Sequence, residues 1–384
     1  MIEIFSAWKG ERTGEEKKRA DVNLKKKGRV LKNNLRAIRS YRKRRTDLDG
    51  LPTYLFIEPT NLCNLHCIMC PTGAGKVHVE QGYMDVRLFR AIVDEVHPYV
   101  STIILAMGGE SLLHPDLADM IRYAEGHEVK VELNTNATLL NGRKARELLR
   151  SGISYISFAF DGYDKAGYER VRRGADFEAT RQNILNFLRL KKEAGAKKPF
   201  TVLSMLDFGL ETGRSEEMDL FLRPFRGLLD DVHIREVNSW GCLFKGTADF
   251  SPKVFAGKPH PCGRLWNSLA IAWNGEVLPC VFNLNHDFPV GRISERPLSA
   301  IWNSERLVGL RRAMCDGRHL EISPLCENCT IAGTPAILGV PAGLRASLAD
   351  SLYNFTGYRF ERTLISLAGR WRKGHFASRR IRFS

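Results

Sequence analysis

The chain has 384 residues, 43% of them hydrophobic, and a formal net charge of +15. This is enough for one large domain or two, and no apolar run reaches the roughly 18 residues that a membrane-spanning helix needs. Residues 1–50 carry a net +9 and residues 341–384 a net +7, whereas residues 51–340 carry a net −1. A neutral body argues against a basic catalytic surface built to grip nucleic acid, and towards arms with a partner of their own. Nine cysteines without a secretory pattern ahead of them point to metal or redox chemistry in a reducing compartment, the cytoplasm, rather than to disulfides.

Residues 9–45 read as a basic, mostly helical arm. Leu24, Leu31, Leu35 and Ile38 fall at near-helical spacing among lysines and arginines, which predicts that those four side chains share a face. The run Arg42-Lys43-Arg44-Arg45 and then Leu51-Pro52 close the arm. From 54 to about 238, strand-like and helix-like runs alternate. Strands are expected at Tyr54–Glu58, Thr102–Ala106, Val129–Asn134, Tyr155–Phe160, Phe200–Leu206 and Val232–Val237. Helices are expected at Val86–Val96, Leu117–Ala124, Gly142–Leu149, Phe177–Lys192 and Glu216–Leu229. Six βα units with short connections imply a parallel sheet curling into a partial barrel. In barrels of this kind the reactive groups sit at the C-terminal ends of the strands.

The first strand runs into Cys63, Cys67 and Cys70. Three thiolates can hold three irons of a cubic 4Fe-4S cluster, which leaves the fourth iron open to a small molecule. The second strand ends in Met107-Gly108-Gly109-Glu110, where a bare backbone can approach a ligand and a carboxylate can accept from an ammonium group. Polar turns follow the third strand (Asn134, Asn136) and the fourth (Asp161), and Ser157 lies on the same strand face two residues before Ala159. The sixth strand leads through Asn238-Ser239-Trp240-Gly241 to Cys242. Further on, Asn274-Gly275 between two apolar runs is a hairpin signal that folds Cys262 towards Cys280. A helix near Pro297–Cys315 precedes Cys326-Glu-Asn-Cys329. Four cysteines so placed suit either tetrahedral zinc or a second 4Fe-4S cluster.

Taken in this order, residues 54–332 resemble the radical S-adenosylmethionine (SAM) superfamily and, within it, the enzymes with a SPASM or shorter twitch extension. The carrying segments are CxxxCxxC at Cys63–Cys70, the GGE turn at Gly108–Glu110, a stretch similar to GGEPLLHP with Ser111 in place of proline, a turn similar to TNG ending in Ala137, and a turn similar to SLDG in which Ala159 takes the place of the serine. The resemblance implies a partial (β/α)6 parallel barrel at 51–240, then a small Cys-rich hairpin-plus-helix domain at 241–335, with basic helical arms at 1–50 and 336–384. It implies a SAM-binding 4Fe-4S cluster on Cys63, Cys67 and Cys70, with SAM contacted by Gly108, Gly109, Glu110, Asn134, Asn136, Ser157 and Asp161. It also implies one auxiliary 4Fe-4S cluster on Cys262, Cys280, Cys326 and Cys329, and a one-electron donor such as flavodoxin or ferredoxin. The cluster cleaves SAM to a 5′-deoxyadenosyl radical that takes hydrogen from substrate, and the auxiliary cluster accepts a second electron.

On this reading the substrate is a sugar, a cyclitol or a lipid-linked small molecule. A second reading is a redox-neutral epimerase with Cys242 or Cys315 as hydrogen-atom donor. A third is an enzyme that modifies ribosomal peptides. A rival of another class is a non-catalytic, metal-stabilised protein that binds membrane or RNA. Phe360, Leu364, Leu367 and Trp371 recur at helical spacing among arginines. That tail is expected to lie on an anionic membrane at its inner face or to cover the barrel, and nucleic acid is disfavoured for want of interleaved aromatics.

Overall fold

The computed structural model describes residues 14–207, 216–241, 243, 246, 260–327, 329, 336, 338–356 and 379–380. Cys242 and the Phe360–Trp371 pattern lie outside the described residues. The chain begins with a long helix, α1 (Gly14–Arg42), and then builds β1 (Tyr54–Ile57), α2 (Val86–Val96), β2 (Thr102–Leu105), α3 (Leu117–Gly126), β3 (Lys130–Thr135), α4 (Gly142–Arg150) and β4 (Tyr155–Ala159). Two helices, α5 (Lys165–Val171) and α6 (Phe177–Glu193), lead to β5 (Phe200–Asp207), and α7 (Glu216–Leu222) leads to β6 (Asp231–Glu236). The expected helix to Leu229 stops earlier because Pro224 lies in a 3-10 turn over Arg223–Phe225, where a proline ring cannot continue the ladder.

Strands β1 to β6 pair in sequence order and all in parallel. Their helix-facing side is apolar: Leu55, Ile57, Ile103, Leu105, Val131, Leu133, Ile156 and Phe158 are fully buried in the main core. Burial of this kind is worth about 25 cal/mol for each Å² of apolar surface removed from water. Strand alternation sends Phe56, Asn134, Ser157, Ser204 and Arg235 to the opposite, concave side.

The hairpin expected around Asn274-Gly275 is β7 (Ser268–Ile271) and β8 (Glu276–Leu278), followed by β9 (Gly291–Arg292). Its first strand pairs in parallel with β1, from Tyr54 against Ser268 to Ile57 against Ile271, so the hairpin continues the barrel sheet. The expected helix near Pro297–Cys315 is two helices, α8 (Leu298–Trp302) and α9 (Glu305–Asp316), split where Ser304 caps the second by accepting from Leu307 N–H. Then follow α10 (His319–Ile322), α11 (Ala342–Thr356) and β10 (Arg379–Arg380), the last pairing antiparallel with β6.

The basic N-terminal segment is a helix, as its pattern predicts, but a different face is buried. Leu24 and Leu35 are 59% and 51% exposed. The buried side is Lys26, Val30, Asn33, Asn34, Ala37 and Tyr41. Asn34 explains why a polar residue can face inward: its side chain accepts from Thr53 Oγ1 at 2.7 Å and donates to Ser347 O at 3.2 Å, tying α1 to the start of β1 and to α11. Lys26 Nζ donates to His127 O at 2.6 Å. Helix α1 therefore lies across the N-terminal ends of the strands. No helix among the described residues is long and apolar enough to cross a membrane.

Candidate active site

Cys63, Cys67 and Cys70 lie on the loop after β1, at the C-terminal end of the barrel. The loop is held by its backbone: His66 N–H donates to Arg173 O at 2.9 Å, and Ile68 N–H donates to Val171 O at 3.0 Å. A methyl group on Gly73 would stand 2.5 Å from the Cys67 nitrogen, so only glycine lets the loop close on itself. All three cysteines pack into one small apolar cluster with Leu65, Met69, Val171 and Trp240. Burial pushes the Cys63 thiol up to about 11 and the Cys67 thiol up to about 12, so the metal-free thiols hold their protons and iron must displace them.

The Gly108-Gly109-Glu110 turn is stitched to this loop. Glu110 N–H donates to Leu62 O at 2.8 Å, and a methyl on Gly109 would meet Thr60 O at 2.2 Å. The glycine thus admits the cysteine loop rather than a ligand. Glu110 is 3% exposed, and its carboxylate accepts from Leu112 N–H (3.0 Å), Thr135 Oγ1 (2.7 Å) and Asn136 N–H (2.7 Å). Most of its acceptor capacity is spent inside the protein. Burial pushes its pKa up, and those same bonds pull it back. The sequence reading missed Glu58, which is also buried and accepts from Gly108 N–H at 3.0 Å. What remains for a ligand is the backbone of the turn and Thr72 Oγ1, which would lie 3.4 Å from a methyl on Gly108. That hydroxyl is buried with no hydrogen-bond partner among the described residues. An orphan hydroxyl two residues beyond Cys70 is a fitting contact for a small polar ligand of the cluster.

The other candidates divide. Asn136 Nδ2 donates to Asn64 Oδ1 at 3.1 Å, while its Oδ1 accepts from Thr138 N–H and Oγ1, so it braces the cysteine loop. Ala137, where the resembling family has glycine, sits at φ 60°, the left-handed region that explains that preference. Asn134 is exposed on the concave side and stands in register with buried Ser157. Asp161 is not open to a cofactor. It forms a buried ion pair with Arg172 at 2.6 Å and accepts from Leu206 N–H at 2.8 Å. Arg172, a second residue the sequence reading missed, also faces Cys67 and Cys63, and its Nε is buried without a hydrogen-bond partner among the described residues.

The second set converges from three separate stretches of chain. Cys262, Cys280, Cys326 and Cys329 line one cavity together with Arg264, Leu265, Phe282 and Leu325. Burial pushes Cys262 up to about 12 and raises Cys280. Arg264, stacked between Phe56 and Phe282 at 5.4 and 5.1 Å, places a cation beside Cys262 and Cys280. Among the described residues no three His, Cys, Asp or Glu side chains gather on a single ion. Thiols spread around an apolar hollow, with an arginine at hand to offset their charge, fit a polynuclear cluster. Cys315 is not in this cavity. Its carbonyl accepts from Arg44 Nη1 at 3.3 Å and its thiol lies 4.0 Å from Arg44 O, and it packs against the edge of the main core. That position argues against a role as hydrogen donor.

One side chain joins the two sets. Trp240 packs on the cluster that holds Cys63 and Cys70 and on the cluster that holds Cys280 and Cys329, and its ring meets Phe282 edge-on at 5.5 Å. Trp240 and Gly241 are both left-handed, at φ 48° and 69°. A methyl on Gly241 would stand 2.6 Å from Leu325 O. The chain is turned sharply there to place the indole.

Comparison with known proteins agrees with this arrangement. Residues 57–222 match the Radical SAM superfamily and residues 262–330 match SPASM, an iron-sulfur cluster-binding domain. The chain is 24% identical over 323 residues to the tungsten-containing aldehyde ferredoxin oxidoreductase cofactor-modifying protein of Pyrococcus furiosus, covering 72% of this chain and 87% of that protein. It is 23% identical over 350 residues to the PqqA peptide cyclase of Streptomyces rochei, covering 79% and 93%. In fold it is similar to Streptococcus suis SuiB bound to precursor peptide SuiA, with a TM-score of 0.54 at 15% identity, over 71% of this chain and 69% of that one. The first domain implies a 4Fe-4S cluster with SAM, and the second implies auxiliary iron–sulfur clusters. The chain belongs to the radical SAM superfamily, as an enzyme with a SPASM-type iron–sulfur domain.

Proposed function

We propose that the enzyme oxidises a polar substrate held on the concave side of the sheet by hydrogen-atom abstraction, with the four-cysteine site taking the second electron. The observation that carries this is Trp240, which packs both on the apolar cluster around the three-cysteine loop and on the apolar cluster beside Cys280 and Cys329. Cys63, Cys67 and Cys70 would hold a 4Fe-4S cluster, which when bound would supply the electron for reductive cleavage of SAM. The protein does the rest. Gly73 and the Val171–Arg173 backbone hold the three-cysteine loop. The Gly108–Gly109 backbone and Thr72 are the contacts proposed for SAM, with Glu110 holding the turn that presents them. Asn134 and Ser157 line the concave wall at the ends of β3 and β4.

The polar character of that wall supports a sugar or cyclitol as substrate. Arg235 donates from Nε and Nη2 to Ser204 Oγ at 3.2 and 2.6 Å, and His233 lies 3.1 Å from Asp231. A peptide is the second reading, favoured by the similarity to PqqA peptide cyclase along most of both chains. A lipid-linked substrate would have to present a polar headgroup to the same wall. Anaerobic turnover with candidate sugars, cyclitols and peptides decides: product two hydrogens lighter, one SAM consumed per product and no solvent deuterium incorporated is the expected result. Product of the substrate's mass in ordinary water, and one mass unit heavier in deuterium oxide, would replace oxidation by epimerisation.

A further inference from the structure

The outward face of α1 lies apart from the three-cysteine loop and is strongly basic. Residues 22–46 contain no acidic residue. Over its last two turns and the bend that follows, Arg36, Arg39, Arg42, Lys43, Arg44 and Arg45 are all exposed. Only Arg45 has a carboxylate partner among the described residues, Asp49 at 2.7 Å. So dense a like-charged group is self-repelling, and the chain keeps it beside one particular place. Tyr41, on the buried face of the same turn, donates to Pro261 O at 2.7 Å, next to Cys262. Trp266 Nε1 donates to Arg45 O at 2.9 Å. Arg44 reaches Cys315 O, and Cys315 closes α9, whose Leu310 and Met314 line the four-cysteine cavity. The path from the basic surface to Cys262 is one side chain deep. Nearby, α10 packs on α9 and leads into the Cys326 turn, and it leaves Leu320 48% and Ile322 38% exposed.

A cationic surface with apolar residues beside it, one residue from a buried redox site, is the complement of a small acidic electron carrier. Encounters of this kind bury little area and rely on charge to steer them. We infer that the basic end of α1, Arg36 to Arg45, is the docking face for an acidic one-electron carrier protein that exchanges electrons with the enzyme at its four-cysteine site. The inference rests on reading Cys262, Cys280, Cys326 and Cys329 as cluster ligands. In turnover the four-cysteine site passes the electron it took from substrate to the oxidised carrier, which is reduced by one electron as the site is oxidised by one, and a reduced carrier runs the same transfer in reverse; no bond is made or broken. An anionic membrane is the competing occupant of the stripe. It is less favoured because α1 lies across the strand N-termini, which would point the barrel mouth away from the lipid.

The test uses the full-length, iron-loaded enzyme and a reduced plant-type ferredoxin as the acidic probe. Arg39→Glu, Arg42→Glu and Lys43→Glu are combined, since none of the three side chains makes a hydrogen bond or ion pair among the described residues. The triple variant should take electrons from ferredoxin about ten- to a hundredfold more slowly at low ionic strength. The wild chain's rate should fall steeply with added salt. Iron content, thermal midpoint and dithionite-driven 5′-deoxyadenosine formation should match the wild chain. An unchanged ferredoxin rate overturns the inference. So does an unchanged rate accompanied by lost retention on vesicles of one-third phosphatidylglycerol in phosphatidylcholine, which would assign the stripe to lipid. A wild chain that binds ferredoxin with salt-sensitive affinity but holds only about four irons would sink the cluster reading instead.

Discussion

The two cysteine sets are closed in different ways. Cys63, Cys67 and Cys70 come from one short loop whose shape is set by its own backbone, by Gly73 and by Val171–Arg173. Cys262, Cys280, Cys326 and Cys329 come from a hairpin, a coil and a 3-10 turn, and only tertiary packing brings them to one cavity. The charges beside them differ as well. Arg172 faces Cys67 but is already neutralised by Asp161, whereas Arg264 faces Cys262 and Cys280 from between two aromatic faces. A three-thiol site that must admit a charged ligand is kept in neutral surroundings, and a closed four-thiol site keeps a cation to offset its own charge. The first arrangement suits the proposed reaction site, and the second suits the proposed electron store.

Breaking the first set should have the largest effect. Cys67→Ala is expected to abolish reductive SAM cleavage and remove about four irons, leaving the four-cysteine cluster and the thermal midpoint nearly intact. Concerted loss of both clusters, measured by iron and sulfide analysis, would show that the sets are not independent. Next in size is Arg172→Met, which strands Asp161 as an unpaired buried charge and should cost about 3–5 kcal/mol. Urea unfolding of the metal-free chain reads this, and a loss below about 1 kcal/mol would mean that the pair is solvated. Trp240→Ala should lower product formation about tenfold, or about 1.4 kcal/mol in the barrier, while SAM cleavage without substrate continues. Equal loss of both activities would make Trp240 part of the SAM site instead of the link between sites. The smallest effect is expected of Arg264→Met: a shift of the four-cysteine cluster to lower potential, on the order of 30 mV, read by EPR-monitored redox titration. A shift in the three-cysteine cluster alone would reverse the assignment of the two cations.

The barrel was legible because six apolar strands alternate with amphipathic helices, and both the 2-residue and 3.6-residue periods survive in the chain. Val86–Val96 begins and ends where its pattern does. Both cysteine sets were legible from spacing. Three things were not. The buried face of α1 could not be read because Asn34 is satisfied by Thr53 and Ser347, partners that a periodicity count cannot supply, while Leu24 and Leu35 stay in water. Arg172 and Asp161 carry no sequence sign that they meet in the core, since burial of charge depends on a partner from another element. Trp240 could be seen as an aromatic after β6, but its bridging position depends on the left-handed turn at Trp240-Gly241 and on Phe282. The amphipathic pattern did find helices. It did not tell which face of a polar helix the protein uses.

The claim that the chain carries two separately closed clusters, only one of them open to SAM, is tested most directly by Mössbauer spectroscopy with and without SAM. The samples are the wild chain and the Cys63→Ala, Cys67→Ala, Cys70→Ala variant. The account predicts about eight irons in the wild chain, with SAM perturbing one cluster, and about four irons insensitive to SAM in the variant. A variant with no iron, or with irons that still respond to SAM, would contradict it.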